Sequence, residues 1–205
     1  MKLYYLPASC SLATHIILRE TGLGFELERY DPSKGTTETG KTFAGVNAKA
    51  RVPALEFDNG DVLTEGSALV QYIVSRTPES EFSLPVDPLA RARVQEGLSF
   101  VASEFHKSFS PFFATDAEKA AKEKARTLVI KHLTYLENIF SDSREYFIDN
   151  KISVADIYLF VVLRWVDATG LELNAWKNVF AFRERIAIRP HVQAALSAEG
   201  LLEAA

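Results

Sequence analysis

The chain predicts a thioredoxin-like α/β domain built on a mixed four-stranded sheet, followed by an all-α helical bundle. Three observations carry this prediction. Apolar alternation and helical spacing over the first 76 residues run in the order β-α-β-α-β-β-α. Asn59-Gly60 between two short apolar runs marks a hairpin near the end of that stretch. Beyond a proline-rich connection, every periodic segment repeats at three and four residues.

Lys2 to Leu6 reads as the first strand, stopped by Pro7. Leu12, Ile16 and Ile17 then mark a helix that Gly22 ends. Phe25 to Tyr30 alternates apolar and charged residues, a second strand, and Asp31 to Thr42 is a loop rich in Pro, Gly, Ser and Thr. Phe43 to Val46 is a short helix. Ala54 to Phe57 and Asp61 to Leu63 form the hairpin, and Ser67 opens a helix that runs to Arg76. A unit of this size supplies only about 3–5 kcal/mol by itself, so it needs a second body to pack against.

Pro78, Pro85 and Pro88 make the following stretch stiff. The expected division is residues 1–80, a linker 81–88, and a helical domain 89–205. In the latter, Val94, Leu98, Val101, Phe105 and Phe109 draw one long amphipathic helix closed by Pro111. Ala125, Leu128, His132, Leu136 and Ile139 draw a second. Ser153 and Asp156 form a capping box, with Ile152 and Ile157 as its hydrophobic staple. The helix that follows is apolar almost all round to Val166, which places it centrally. A further helix ends before Pro190, and a short one reaches Gly200.

A net charge of −4 and the lack of a basic cluster argue against a nucleic-acid partner. The longest apolar run, Ile157 to Leu163, falls far short of the roughly 18 residues that a membrane span requires. One cysteine cannot staple a fold, and no closely spaced Cys/His set suggests zinc. Met1-Lys2 leads directly into a strand, not an export signal, so a cytoplasmic location is expected.

Chemistry concentrates between Arg51 and Ser67, RVPALEFDNGDVLTEGS. Pro53 permits a cis peptide and a sharp turn, so Val52 presents its main-chain N–H and C=O to something other than a sheet. Glu65, Gly66 and Ser67 open a helix whose N–H groups, dipole and hydroxyl suit a carboxylate. Glu65 asks for a cation as well. An extended zwitterionic peptide satisfies all three, with main-chain pairing at Val52, its carboxylate at Ser67 and its ammonium at Glu65.

With those residues in place, the chain resembles the cytosolic glutathione transferases, and among them the bacterial beta class. The resemblance rests on KLYYLPASCSL, NAKARVPALEFDNGDVLTEGSALVQY, SEFHK, SVADIYLF and RPHVQAALSAEGL, and covers nearly the whole chain. It implies a homodimer, glutathione as co-substrate, and a small hydrophobic electrophile as second partner. It also implies a detoxification role, with Cys10 able to form a mixed disulfide with glutathione. Ala13 rules out a Cys-x-x-Cys pair, so glutathione itself must resolve that bond. A helix N-terminus beside Ser9 and Ser11 is expected to depress the Cys10 pKa.

Candidate donors to the glutathione thiol are Cys10, Ser11, Tyr5 and His106, although alternation along the first strand puts Tyr5 with Leu3 on one face, as a core residue. The resemblance brings His106 and Lys107 toward the thiol, and Ser103 and Glu104 across the dimer. Many members carry Lys at position 35, Gln at 51, Trp at 97 and Asn at 99; this chain has Gly35 with Lys34 beside it, Arg51, Gly97 and Ser99. Phe109, Phe112 and Phe113 suit aromatic or aliphatic electrophiles. His15, His132 and His191 read as structural. The competing reading is a non-catalytic protein that uses the same fold to bind hydrophobic compounds or a partner.

Overall fold

A computed structural model describes residues 1–202 and divides the chain into two compact units: Met1–Leu84 with Arg189 onward, and Pro85–Ile188. The first unit holds strands β1 (Lys2–Tyr5), β2 (Glu26–Asp31), β3 (Thr36–Thr37), β4 (Ala54–Glu56) and β5 (Val62–Thr64). Their order is β3-β2-β1-β4-β5, with β1 parallel to β2 and the other pairs antiparallel. The expected sheet of four gains a fifth strand because the loop after β2 folds back for two residues, pairing Thr37 with Tyr30 and Thr36 with Asp31.

Helix α1 (Ser11–Thr21) makes the crossover between β1 and β2, and Ser11 to Leu18 are all buried. Gly22 ends it in the left-handed conformation, φ 67°, which glycine adopts without a steric cost. On the other face of β1, Tyr4 packs with Tyr30, Phe43 and Ala54. The Tyr30 and Phe43 rings stack at 4.1 Å. Helix α2 (Gly66–Ser75) buries Leu69, Val70, Ile73 and Val74.

The second body that so small a unit requires comes partly from the far end of the chain. Helix α9 (Pro190–Ala198) buries Val192, Ala195 and Leu196 and packs on α1. Arg189 clamps it with two hydrogen bonds to Glu20, at 2.8 and 3.1 Å, and a third contact to Glu81. By its contacts the last segment of the expected domain 89–205 groups with the first unit, and the second unit runs from Pro85 to Ile188.

In the second unit, α3 (Pro88–Phe100) does not run on as a regular helix. Val101–Phe105 forms a π turn, closed by the His106 N–H to the Val101 carbonyl, before α4 (His106–Ser108) and α5 (Ser110–Phe113). The π register inserts one residue, and Val94, Leu98, Val101, Phe105 and Phe109 all stay buried across it. Helix α6 (Lys119–Phe140) buries Ala125, Val129, His132, Leu133, Leu136 and Phe140. Leu128, assigned to the buried stripe by spacing, is 39% exposed. Helix α7 (Val154–Leu163) is buried at all ten residues and carries the expected capping box. Helix α8 (Lys177–Ala187) completes the unit. Among the described residues no helix is long and apolar enough to cross a membrane.

Candidate active site

Cys10 lies at the turn from β1 into α1, as the residue capping that helix. The turn is held by Ser11, whose buried hydroxyl accepts from the Leu6 N–H and donates to the Leu6 carbonyl, both at 3.2 Å. It also bonds the Ser9 hydroxyl at 2.8 Å. Ser11 is thus engaged in holding the turn. Tyr5 is buried with its ring 6.3 Å from His15, in the core as alternation required.

A buried tie holds the same turn from the other side. Ala8, at φ 61°, donates its N–H to Glu199 Oε2 at 3.2 Å. Glu199 Oε1 meets His15 Nδ1 at 2.9 Å, both side chains fully buried. Arg19 Nε donates to His15 Nε2 at 2.8 Å, so the ring proton sits on Nδ1 and is donated to Glu199. Sequence reasoning gave Glu199 no role, since the contact spans 184 residues.

Cys10 is half-buried, and its Sγ donates to the Val52 carbonyl at 3.6 Å. Burial pushes the thiol up to about 11, against the lowering effect of the Cys10 and Ser11 N–H groups; the Glu65 charge raises it further and Arg51 opposes. The expected depression is overturned: the helix end is present, but desolvation of the thiolate exceeds it. Cys10, Arg51, Val52 and Glu65 are nevertheless brought into one neighbourhood.

Val52–Pro53 is a cis peptide. Val52 stands outside the sheet register, and its N–H enters no backbone hydrogen bond among the described residues. The hairpin turns through Phe57 to Gly60 with only Gly60 left-handed, φ 87°. Pairing of Ala54 with Thr64 returns the chain so that Val52 and Ser67 lie at the same end. There Glu65, φ 73°, caps α2, and Gly66 and Ser67 are its first residues. The first N–H groups of a helix have no acceptor within it. Ser67 adds a buried hydroxyl with no hydrogen-bond partner among the described residues.

Two features of this edge were not anticipated. Lys49 extends its ammonium to the Glu65 carboxylate and to Thr64 Oγ1, the latter at 2.7 Å. Lys34 is engaged with Asp31 at 3.0 Å, and hydrogen bonds from Ser33 and Lys34 hold that carboxyl down at about 2.

The second unit carries the remaining candidates. His106 Nδ1 lies 3.0 Å from the Tyr158 hydroxyl, and its ring meets Trp165 edge-on at 4.7 Å. Tyr158 and Trp165, both buried, fix the imidazole; neither was singled out by sequence. Ser103, Glu104 and Lys107 are exposed on and just after the π turn.

Two family models match: the glutathione S-transferase N-terminal domain over residues 8–76 and its C-terminal domain over 100–190. The glutathione S-transferase GstA of Escherichia coli O157:H7 is 42% identical, covering 98% of this chain and all of the relative. The chain belongs to the glutathione S-transferase family. A beta-class enzyme of Sphingomonas chungbukensis superposes with a TM-score of 0.95 at 44% identity, over 98% of this chain and all of that one. A sphingomonad glutathione S-transferase, solved in complex with glutathione, gives 0.94 at 43% identity with the same coverage.

Glutathione is therefore the co-substrate of this glutathione S-transferase, and two of its departures have a local cause. Gly35 sits at φ 69°, a conformation that a lysine there would have to adopt with strain. At Gly97 of the transferase a side chain would start 2.5 Å from Ile148 Cδ1 and 3.3 Å from Ala155 Cβ, so α3 closely approaches α7 there.

Proposed function

We propose that this transferase joins the glutathione thiol to small hydrophobic electrophiles, with cysteine-dependent thiol–disulfide exchange as a second activity. In conjugation, glutathione sulfur forms a bond to an electrophilic carbon, halide leaves with the bonding pair, and the thiol proton passes to solvent. In exchange, the Cys10 thiolate attacks the glutathione sulfur of a glutathione mixed disulfide and expels the other thiolate; a second glutathione thiolate then attacks the Cys10–glutathione disulfide and releases Cys10 thiolate and oxidised glutathione.

The tripeptide lies extended along Val52. Its γ-glutamyl carboxylate meets the Gly66 and Ser67 N–H groups, its ammonium meets Glu65, and Arg51 and Lys34 serve the glycine end. What supports the reading best is Ser67: a buried hydroxyl without a partner among the described residues, at the N-terminus of a helix, asks for a carboxylate.

The raised pKa of Cys10 favours conjugation as the leading activity. A protonated thiol can donate to a bound glutathione thiolate, whereas exchange needs it deprotonated. Steady-state turnover of a chloronitroaromatic acceptor with glutathione tests the proposal. A rate no greater than the uncatalysed background, together with no binding of glutathione, overturns it. Replacing Cys10 by Ala separates the activities: exchange disappears and conjugation persists in part.

A further inference from the structure

The segment that ends at Val52 is tied by one buried side chain. Asn47 is 6% exposed, and all of its polar groups are engaged. Its N–H donates to the Phe43 carbonyl at 2.9 Å, and Phe43 is itself fully buried against Tyr30. Its carbonyl accepts from the Ala50 N–H at 2.8 Å. Its Oδ1 accepts from the Lys49 N–H at 3.1 Å, and its Nδ2 donates to the Arg51 carbonyl at 2.6 Å. The partners fix which way the carboxamide points, since an N–H only donates and a carbonyl only accepts.

The turn spanned by this side chain contains Ala50 at φ 50°, a conformation that non-glycine residues rarely adopt. The Arg51 carbonyl and the Val52 N–H belong to one peptide group. That peptide is trans, so the two bonds point in opposite directions. Drawing the Arg51 carbonyl inward to Asn47 turns the Val52 N–H outward, away from the core.

We propose that Asn47 is a positioning residue for glutathione: by holding the Arg51 carbonyl, it sets the direction in which Val52 offers its N–H to the ligand. The inference rests on the reading that glutathione pairs with Val52, and it adds the residue that prepares that pairing. Asn47 touches no ligand. Its effect passes through one peptide plane, so it acts on glutathione affinity and not on the acceptor.

The test compares wild type with Asn47→Ala, Asn47→Asp and Val129→Ala. Asn47→Asp keeps the shape and the Oδ1 acceptor but replaces the donor to Arg51 with a second oxygen. Val129→Ala opens a cavity in the second unit, at a fully buried position on α6, and matches a loss of stability remote from the turn. Calorimetric titration with glutathione, run well below each melting temperature, is expected to show Kd raised about tenfold in both Asn47 variants. KM for a chloronitroaromatic acceptor and kcat at saturation should stay within about twofold of wild type, and Val129→Ala should bind glutathione normally.

Glutathione affinity unchanged in both Asn47 variants, or lost equally in Val129→Ala, overturns the positioning role and leaves a structural one. The crystal structure of Asn47→Asp adds a readout that needs no glutathione. An Arg51–Val52 peptide rotated from its wild-type direction supports the inference, and an unrotated one overturns it. Wild-type protein that binds no glutathione overturns the functional reading instead, whatever the peptide does.

Discussion

Raising the pH should activate Cys10 only far above the range of an ordinary thiol. Desolvation raises its pKa from 9.0 to about 11, so the thiol is favoured over its thiolate by about 3 kcal/mol more than in water. At pH 7 the thiolate is about one part in ten thousand, a hundredfold below an unperturbed group of pKa 9. The Val52 carbonyl, which accepts from Sγ at 3.6 Å, favours the same protonated form. Iodoacetamide alkylation followed by mass spectrometry reads this directly, because the chain has a single cysteine. The logarithm of the rate should climb with unit slope from pH 6 past pH 9, while the same protein in concentrated urea levels off near about 8.5. Circular dichroism at each pH confirms that the fold is intact. A plateau at pH 6 to 7 in the folded protein would refute the reasoning, since the helix end would then have outweighed desolvation.

Other perturbations give equally definite outcomes. Ser67→Ala removes a hydroxyl with no partner among the described residues, so melting temperature should hold while glutathione affinity falls about ten- to a hundredfold, the worth of a hydrogen bond to a charged group; unchanged affinity in calorimetry would remove the carboxylate from this helix end. Asp156 is raised by burial from 3.8 to about 6, against hydrogen bonds from Phe147 and Ser153. Folded protein therefore holds the proton more tightly than unfolded, and stability from this group is greatest below about pH 4 and declines by about 3 kcal/mol as pH rises through 6. Urea titrations of wild type and Asp156→Asn should show that decline only in wild type; parallel pH profiles would contradict it. Glu199→Ala removes the acceptor of the buried His15 N–H and of the Ala8 N–H, and should cost about 2–5 kcal/mol in urea unfolding. A loss below about 1 kcal/mol would mean that the tie is dispensable.

Much of this was legible because the signals were local. The cis proline, the hairpin at Asn59-Gly60 and the capping box at Ser153 and Asp156 each depend on neighbours within a few positions, and sequence shows neighbours. The order of the main strands and helices followed from periodicity in the same way, but not the two-residue strand β3. What escaped the sequence were features decided by distance. Glu199 reaches Ala8 across 191 residues, and nothing in the pattern around either announces the other. The π turn at Val101–Phe105 keeps an apolar spacing that a regular helix would also show, so only the backbone reveals it. Leu128 looked buried because spacing gives a stripe but not its centre, and the stripe lies closer to Val129 and Leu133. At Cys10 the competing effects were visible in kind but not in size: the helix end could be read from the chain, whereas the depth of burial could not. Asn47 and Lys49 escaped for a related reason, because the hydrogen bonds of Asn47 and the reach of Lys49 to Glu65 follow from the turn itself.

The central claim is that glutathione lies along Val52 with its γ-glutamyl carboxylate on the first turn of α2. A crystal structure of this transferase with glutathione tests it most directly. The account predicts main-chain hydrogen bonds between Val52 and the tripeptide, with one carboxylate oxygen within hydrogen-bond distance of the Ser67 hydroxyl. Glutathione seated elsewhere, with Ser67 still lacking a partner, would contradict it.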